Sequence, residues 1–440
     1  IAWRVGTLSL QFVPPAEGGG MEIIMIKVRD LSCGARLVME EIPYVKSAAI
    51  GIWVKAGAVN EQPEISGVSH YIEHMLFKGT DNRSAKEIAA DADRIAGQIN
   101  AFTGKEATCY YIKTLSENID KAADILLDMF LNSQFDPVEM DKERMVIYEE
   151  MKMIEDSPED DAHDIIGELV FDGNPLAKSI IGTQETLAGI DRDVIKKYIS
   201  EQYTTDSIVV SVAGNFDEEQ LVSVFDGRFD KFARTKEHIE YSDISYRPHY
   251  RSKVKDIEQS HICLGTIGIA RDDERFYALS LLNNIMGGSM SSRLFQNIRE
   301  EKGLAYSVYS IASSFIHTGY YNIYAGVSHD KIYAAIKGIE EELKILKNKG
   351  ITADELEISK SQLKGSYIFG MENVNGRMFN IGRNLTLSGR INTPEEVIGK
   401  IDRVTLADIN EAASLIYDFD NYSAVVISDK ETDVEKYIKE

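Results

Sequence analysis

Apolar residues follow two spacings along this chain, one typical of strands and one typical of helices. Short apolar runs at 208–213, 320–327 and 424–427 predict strands, whereas helical spacing at 115–132 and 331–349 predicts helices. Strands interrupted by helical excursions favour an α+β fold, in which helices pack on one face of a mostly antiparallel, mixed sheet.

The pattern also repeats after roughly two hundred residues. The apolar run at 47–54 is similar to the run at 260–267, and each leads through a polar turn into a helix. The sequence therefore predicts two similar domains. The predicted parts are an N-terminal extension or added tail at 1–20, a first domain at 21–232, a linker at 233–255 and a second domain at 256–440.

Composition narrows the class of protein. At 440 residues the chain exceeds what one hydrophobic core supports, and 44% hydrophobic with 27% charged residues is ordinary for a globular protein. The net charge of −23 disfavours nucleic acid and membrane surfaces as partners and favours basic ones. No apolar run is long enough to span a membrane. Three cysteines at no recurrent spacing argue against a disulfide framework and predict a reducing, cytoplasmic location.

The segment His70-Tyr71-Ile72-Glu73-His74 carries the strongest chemical signal. If 66–77 is helical, His70, Glu73 and His74 share one face, so both imidazoles can reach one metal ion with the carboxylate beside it. Glu73 is then free to act as a general base. This order inverts the commoner zinc-protease motif and keeps the same three groups in reach, which is the inverzincin arrangement.

Two histidines need a third protein ligand to hold a catalytic zinc. The segment 136–155 predicts a long helix that begins at Asp136 and Pro137, with Glu143 and Glu150 two turns apart on one face. Its spacing alone cannot choose between Glu149 and Glu150. An apolar side that would pack on the core is expected from Val146, Ile147, Met151 and Ile154.

These two segments together resemble the pitrilysin-like zinc peptidases, specifically the short subunits of bacterial kind that are similar to the mitochondrial processing peptidase. The matching residues are His70-x-x-Glu73-His74 and 143–151, Glu-Arg-Met-Val-Ile-Tyr-Glu-Glu-Met. The resemblance implies one Zn²⁺ per subunit with Glu150 as its third ligand. It also implies that Glu143 orients the ligands or the substrate.

A further match is the segment Asn100-Ala101-Phe102-Thr103, which resembles the family's edge strand. The resemblance implies that an extended substrate pairs with this strand through main-chain hydrogen bonds.

The second half carries another part of the resemblance. A glycine-containing loop at 287–295 precedes Arg299 and Tyr306, which are seven residues apart. The resemblance implies that Arg299 holds the substrate backbone and that Tyr306 helps to stabilise the oxyanion. The segment of this half that corresponds to the metal helix is 277–286, and it contains no histidine or glutamate. Only the first domain is therefore expected to bind zinc.

An acidic run follows the long helix and includes Asp160 and Asp164. The resemblance implies that these two acids read a basic residue near the cleavage point. A local explanation also fits the run, because acidic residues favour helix N-termini.

The predicted function is that of a zinc-dependent endopeptidase acting on peptides or short unfolded segments, with a preference for basic residues. The resemblance implies a dimer that closes as a clamshell around a chamber; a homodimer is the simplest case, and a heterodimer with an inactive homologue is equally compatible. Two alternatives are a non-catalytic scaffold subunit of the same fold and a zinc amidohydrolase for small molecules.

Overall fold

The first sheet is built from the N-terminal half of the chain. The structure is a computed structural model that describes residues 26–236, 241 and 244–440. The strands of this sheet are β1 (Ile26–Asp30), β2 (Arg36–Glu41), β3 (Ser47–Val54), β4 (Gln98–Thr103), β5 (Thr108–Leu115) and β6 (Ile208–Gly214). Their order is β1-β2-β6-β3-β5-β4, and β2 with β6 is the parallel pair. The central strands β3 and β6 are apolar and buried, whereas β4 lies at one edge and alternates in exposure.

The second sheet repeats this arrangement with strands from the C-terminal half. These strands are β7 (Tyr250–Val254), β8 (Ser260–Ile267), β9 (Ala305–Ser314), β10 (Gly319–Val327) and β11 (Ser423–Ser428). The order β7-β11-β8-β10-β9, with β7 and β11 parallel, matches β2-β6-β3-β5-β4 strand for strand.

Helices connect and cover both sheets. In the first half they are α1 (Val68–Met75), α2 (Ala85–Arg94), α3 (Ile119–Asn132), α4 (Pro137–Asp156), α5 (Pro158–Val170), α6 (Gln184–Ala188), α7 (Arg192–Gln202) and α8 (Glu218–Phe225). In the second half they are α9 (Phe276–Met286), α10 (Ile332–Lys349), α11 (Ala353–Gly370), α12 (Val374–Ser388), α13 (Pro394–Arg403), α14 (Leu406–Ala413) and α15 (Val434–Lys439). A π-helix covers Phe295–Glu301.

The chain forms two compact units that do not follow chain order. The first unit holds the described residues up to Arg144, those from Glu185 into the connector, and Gly370–Ile391. The second holds Met145–Gln184, the described residues from Tyr241 to Phe369, and Asn392–Glu440. The first unit therefore includes α12 from the C-terminal half, and the second includes α5 from the N-terminal half. One boundary falls inside α4, after Arg144.

Each exchanged helix packs closely on a central strand of its unit. A Cβ added to Gly51 of β3 would lie 2.6 Å from the Met378 sulfur of α12. A Cβ added to Gly265 of β8 would lie 2.6 Å from Ile166 of α5. Both glycines let a helix approach the strand, which explains their position in otherwise bulky apolar strands.

The predicted α+β class with mostly antiparallel, mixed sheets is confirmed. Side chains alternate between the two faces of a strand, so the residues beside Gly51 and Gly265 face the core on the side opposite to the glycines. The structure therefore adds to the prediction that α12 and α5 cover the glycine side of these strands. One expectation was wrong: 250–254, inside the expected connector, forms β7 beside β11. Its mixed polarity suits an edge strand. The expected tail at 1–20 lies outside the described residues.

Candidate metal centre

The helix α1 begins after Gly67, whose φ of 92° is in the left-handed region that glycine adopts easily. Its buried side is formed by Val68, Tyr71, Ile72 and Met75. Because residues three and four apart share a helix face, His70, Glu73 and His74 lie together on the opposite, partly exposed side.

The structure brings His70, His74 and Glu150 together. One donor atom from each side chain lies within 4.8 Å of the others, and all three residues are partly buried. The two imidazole rings have centroids 4.7 Å apart and are inclined at 67°, so they converge from one helix face. Two imidazole nitrogens and one carboxylate are a donor set that catalytic zinc uses, with a fourth position left open. The residues present therefore fit a zinc ion.

Glu149 and Glu150 of the long helix α4 lie in different surroundings. Glu150 joins the histidines, whereas Glu149 points away and forms a surface ion pair with Lys152 at 2.7 Å. Ile147 is fully buried, as expected for the apolar side. Val146, expected on the same side, is 43% exposed, because it lies one residue's rotation, about 100°, away from the buried face.

Glu143, two turns before Glu150, contacts the second histidine. Its Oε2 lies 3.1 Å from Nδ1 of His74, and its Oε1 forms an ion pair with Nζ of Lys78 at 2.5 Å. A partner on Nδ1 fixes the ring and leaves Nε2 as the metal-facing nitrogen. Lys78 lies beyond the end of α1 at Met75, so the spacing of the histidine motif did not indicate it.

The environment of His70 favours its neutral form. Burial first, and the neighbouring His74 second, lower the pKa of His70 to about 4. A neutral imidazole is the form that coordinates a metal ion.

The candidate base Glu73 is held by the edge strand. The hydroxyl of Thr103, the last residue of β4, donates to Oε2 of Glu73 at 2.5 Å. Among the strands that the structure describes, β4 ends its sheet, so one side of its backbone does not pair within the sheet. Asn100, Ala101 and Phe102 lie on the same strand, and Phe102 is 40% exposed. The prediction assigned only main-chain pairing to this strand and missed the Thr103 hydroxyl.

Arg299 and Tyr306 lie in the second unit, where they contact each other. The Arg299 guanidinium is 5.8 Å from the Tyr306 ring centroid and 4.7 Å from the Phe295 ring centroid. Tyr306 is 74% exposed. It stands near the start of β9, the last strand of its sheet among the described residues.

Asp160 and Asp164 are exposed on α5. The first turn of this helix also carries Glu159 and Asp161, and Asp161 pairs with Lys253 at 2.6 Å. The position of Asp160 suits the local explanation for acids at a helix start, and exposure also leaves both carboxylates accessible.

Two family descriptions match this chain. Residues 36–184 match the family described as insulinase, peptidase family M16, and residues 189–363 match the peptidase M16 inactive domain. The first match contains α1 and α4, and the second contains Arg299 and Tyr306.

Similar bacterial proteins bear protease names. An uncharacterized zinc protease of Bacillus subtilis is 43% identical over 92% of this chain and 98% of its own length. An uncharacterized zinc protease of Streptomyces coelicolor is 37% identical over 86% of this chain and 84% of its own length.

Two solved structures share the fold. A protease from Helicobacter pylori aligns with a TM-score of 0.86 at 21% identity, covering 92% of this chain and 100% of that chain. A structure described as a peptidase M16 inactive domain from Pseudomonas fluorescens aligns with a TM-score of 0.86 at 16% identity, covering 93% and 99%. Within the described ranges, each helix is too short or too polar to cross a lipid bilayer.

Proposed function

Because the chain belongs to the M16 peptidase family, we propose that it is a zinc-dependent endopeptidase that hydrolyses peptides or short unfolded segments. One observation carries this proposal. The donor atoms of His70, His74 and Glu150 converge within 4.8 Å, on the helix face that also bears Glu73.

The proposed ligands are His70, His74 and Glu150, with one Zn²⁺ per subunit. A zinc ion held there would supply Lewis acidity, which makes water easier to deprotonate and a peptide carbonyl easier to attack. Glu73 accepts the proton of the attacking water and passes it to the leaving amine. Thr103 keeps the Glu73 carboxylate in place, and Glu143 keeps the ring of His74 in place.

Substrate alignment is proposed to depend on the side of β4 that pairs with no other strand in the part of the chain that the structure describes. An extended peptide that pairs along Asn100–Thr103 becomes a further strand of the sheet, which brings its backbone beside Glu73. The exposed acids Asp160 and Asp164, with the net charge of −23, support a preference for basic residues.

A dimer is proposed from the family resemblance. Arg299 and Tyr306 of a second copy would then bind substrate backbone and donate to the developing oxyanion, within a closed chamber. A homodimer is the simplest form, and the reducing cytoplasm is the proposed location, since three free cysteines suit it.

The test combines metal analysis with peptide cleavage. We expect purified protein to hold one zinc and to cut labelled extended peptides, with loss of activity on chelation. Glu73→Gln should keep its zinc and lose about 10²- to 10⁴-fold in kcat. Glu150→Gln should lose zinc, whereas the neighbouring Glu149→Gln should keep both zinc and activity.

Each other outcome contradicts the proposal in a recognisable way. Cleavage of small amides alone would identify an amidohydrolase. Bound zinc without any hydrolysis would identify a scaffold. Unchanged turnover in Glu73→Gln would remove Glu73 from the role of base.

A further inference from the structure

The metal-binding helix α1 starts without a cap of its own. The first backbone N–H groups of a helix have no partner within the helix and need an acceptor from elsewhere. The residue at the N-cap position is Gly67, which has no side chain and so cannot cap the helix itself. The helix is only eight residues long, and His70 is its third residue. An uncapped first turn would therefore affect His70 directly.

Glu61, six residues before Gly67 in the chain, supplies the missing acceptors. Its Oε2 accepts from the N–H of Gly67 at 2.7 Å, and its Oε1 accepts from the N–H of Ser69 at 2.9 Å. The side chain is buried, with an exposure of 1%. A buried carboxylate is costly unless it is hydrogen-bonded, and here both oxygens are bonded at the positive end of a helix.

A second contact fixes the same turn. The Ser69 hydroxyl is 2.8 Å from the hydroxyl of Tyr198, a residue of α7 that is 2% exposed. Burial first, and the charge of Glu61 second, raise the pKa of Tyr198 well above its usual range, so its phenol stays neutral as a hydrogen-bonding partner. The first turn of α1 is thus held through both its backbone and the side chain of Ser69.

The residues of α1 that follow His70 are held by different groups. The hydroxyl of Tyr71 donates to the carbonyl oxygen of Met140 on α4, and His74 contacts Glu143 on the same helix. Glu143 therefore contacts His74 directly, and the backbone of His70 directly follows the Ser69 N–H that is bonded to Glu61.

We propose that Glu61 is a positioning residue for the metal centre. It orients His70 through the backbone of the first turn of α1, where it accepts from the N–H groups of Gly67 and Ser69. The inference rests on the proposed zinc site. Glu61 lies outside the histidine motif, so the spacing of that motif did not indicate it.

A merely structural carboxylate would stabilise the fold without affecting metal binding. Glu40 provides the matched control, because it is 3% exposed and bonded to the guanidinium of Arg377. It lies on β2, which β6, β3 and β5 separate from β4, the strand that α1 packs against. Glu40→Gln makes the same chemical change at a similar burial far from α1.

The experiment measures zinc affinity by competition with a chromophoric chelator, and the melting temperature of the zinc-free protein, for three full-length chains. Both variants should lower the melting temperature. Glu61→Gln should weaken zinc binding by about 10- to 100-fold, as loss of a group that orients a ligand does. Glu40→Gln should leave the zinc Kd within about twofold of wild type, because additivity holds for distant sites.

The measurements distinguish failure of the proposed function from failure of the positioning role of Glu61. If wild type binds no stoichiometric zinc, the proposed function fails and this inference fails with it. If wild type binds zinc and Glu61→Gln binds it no more weakly than Glu40→Gln, only the positioning role is overturned. Should Glu61→Gln not fold, Glu61→Asp, which keeps the charge but shortens the reach, is judged by the same comparison.

Discussion

His74 shows how one side chain can depend on a residue far along the chain. It belongs to α1, but the atom that orients its ring is a carboxylate oxygen of Glu143 on α4, 3.1 Å away. Lys78 completes the contact from the other side of that carboxylate. The orientation of His74 therefore depends on the packing of α1 on α4.

Replacing Glu143 tests this dependence. We expect Glu143→Gln to weaken zinc binding by about 10- to 100-fold, because the amide contacts His74 and Lys78 less strongly than the carboxylate does. The zinc Kd measured by chelator competition checks this. Glu149→Gln on the same helix is the control, and equal affinities in the two variants would contradict the orienting role.

Thr103 offers a test at the candidate base. Thr103→Val keeps the side-chain shape and removes the hydroxyl that donates to Glu73. We expect kcat on a labelled peptide to fall about tenfold, since one hydrogen bond to a charged group contributes about 1.5 kcal/mol. Zinc content should not change. Thr103→Ser, which keeps the hydroxyl, should retain most activity, and an unaffected valine variant would show that the bond is dispensable.

At the scale of elements, the packing of α12 on the first sheet is unusually close. Gly382 faces Trp53, whose indole N–H donates to the Ser211 hydroxyl at 2.9 Å. A Cβ on Gly382 would lie 2.1 Å from that indole nitrogen and 2.6 Å from the hydroxyl oxygen. The absence of a side chain here is what allows the helix to reach the strand.

Substitution of this glycine should therefore reverse the usual effect of alanine in a helix. Gly382→Ala is expected to lower the free energy of unfolding by about 1–3 kcal/mol, because overpacking outweighs the helix propensity gained. Gly167 on α5 is the control, because no atom lies within 4 Å of a Cβ there. Urea unfolding should show Gly167→Ala at or above wild-type stability; a loss as large as that of Gly382→Ala would contradict the packing argument.

Elements and site were predictable to different degrees. The strands at 208–213 and 320–327 and the helix at 331–349 were visible because their apolar spacing is regular, and β6, β10 and α10 match them. β7 was missed because an edge strand needs no apolar alternation. The histidine motif was visible because both rings belong to one helix. The roles of Thr103 and Glu61 were not visible, since each depends on tertiary contacts between segments that spacing does not relate.

At the scale of the whole molecule, the half-buried His163 links stability to pH. His163 contacts the Tyr309 hydroxyl at 2.7 Å and the Asn322 amide nitrogen at 3.4 Å. Burial lowers its pKa below the usual 6.5, although the charges of Glu159 and Asp160 act in the opposite direction. The unfolded chain then binds more protons than the folded chain below about pH 6.5, so acidification favours unfolding.

The expected result is a pH-dependent difference between wild type and His163→Gln. In chelator, the free energy of unfolding of wild type should lose more than that of the variant between about pH 7.5 and pH 5.5, because the variant cannot take up this proton. Packing changes caused by glutamine affect both pH values equally and cancel in the comparison. Parallel losses measured by urea unfolding would contradict the contribution of His163.

The exchange of α12 and α5 has a consequence for synthesis of the protein. The first unit needs Gly370–Ile391, so a nascent chain cannot complete it when its six strands have emerged from the ribosome. Until α12 has been synthesised, the apolar surface around Gly51 and Trp53 stays exposed to solvent, where it can associate with other chains. A gene fragment that encodes only the first repeat should accordingly yield aggregated protein, because it lacks α12, which is encoded in the second repeat.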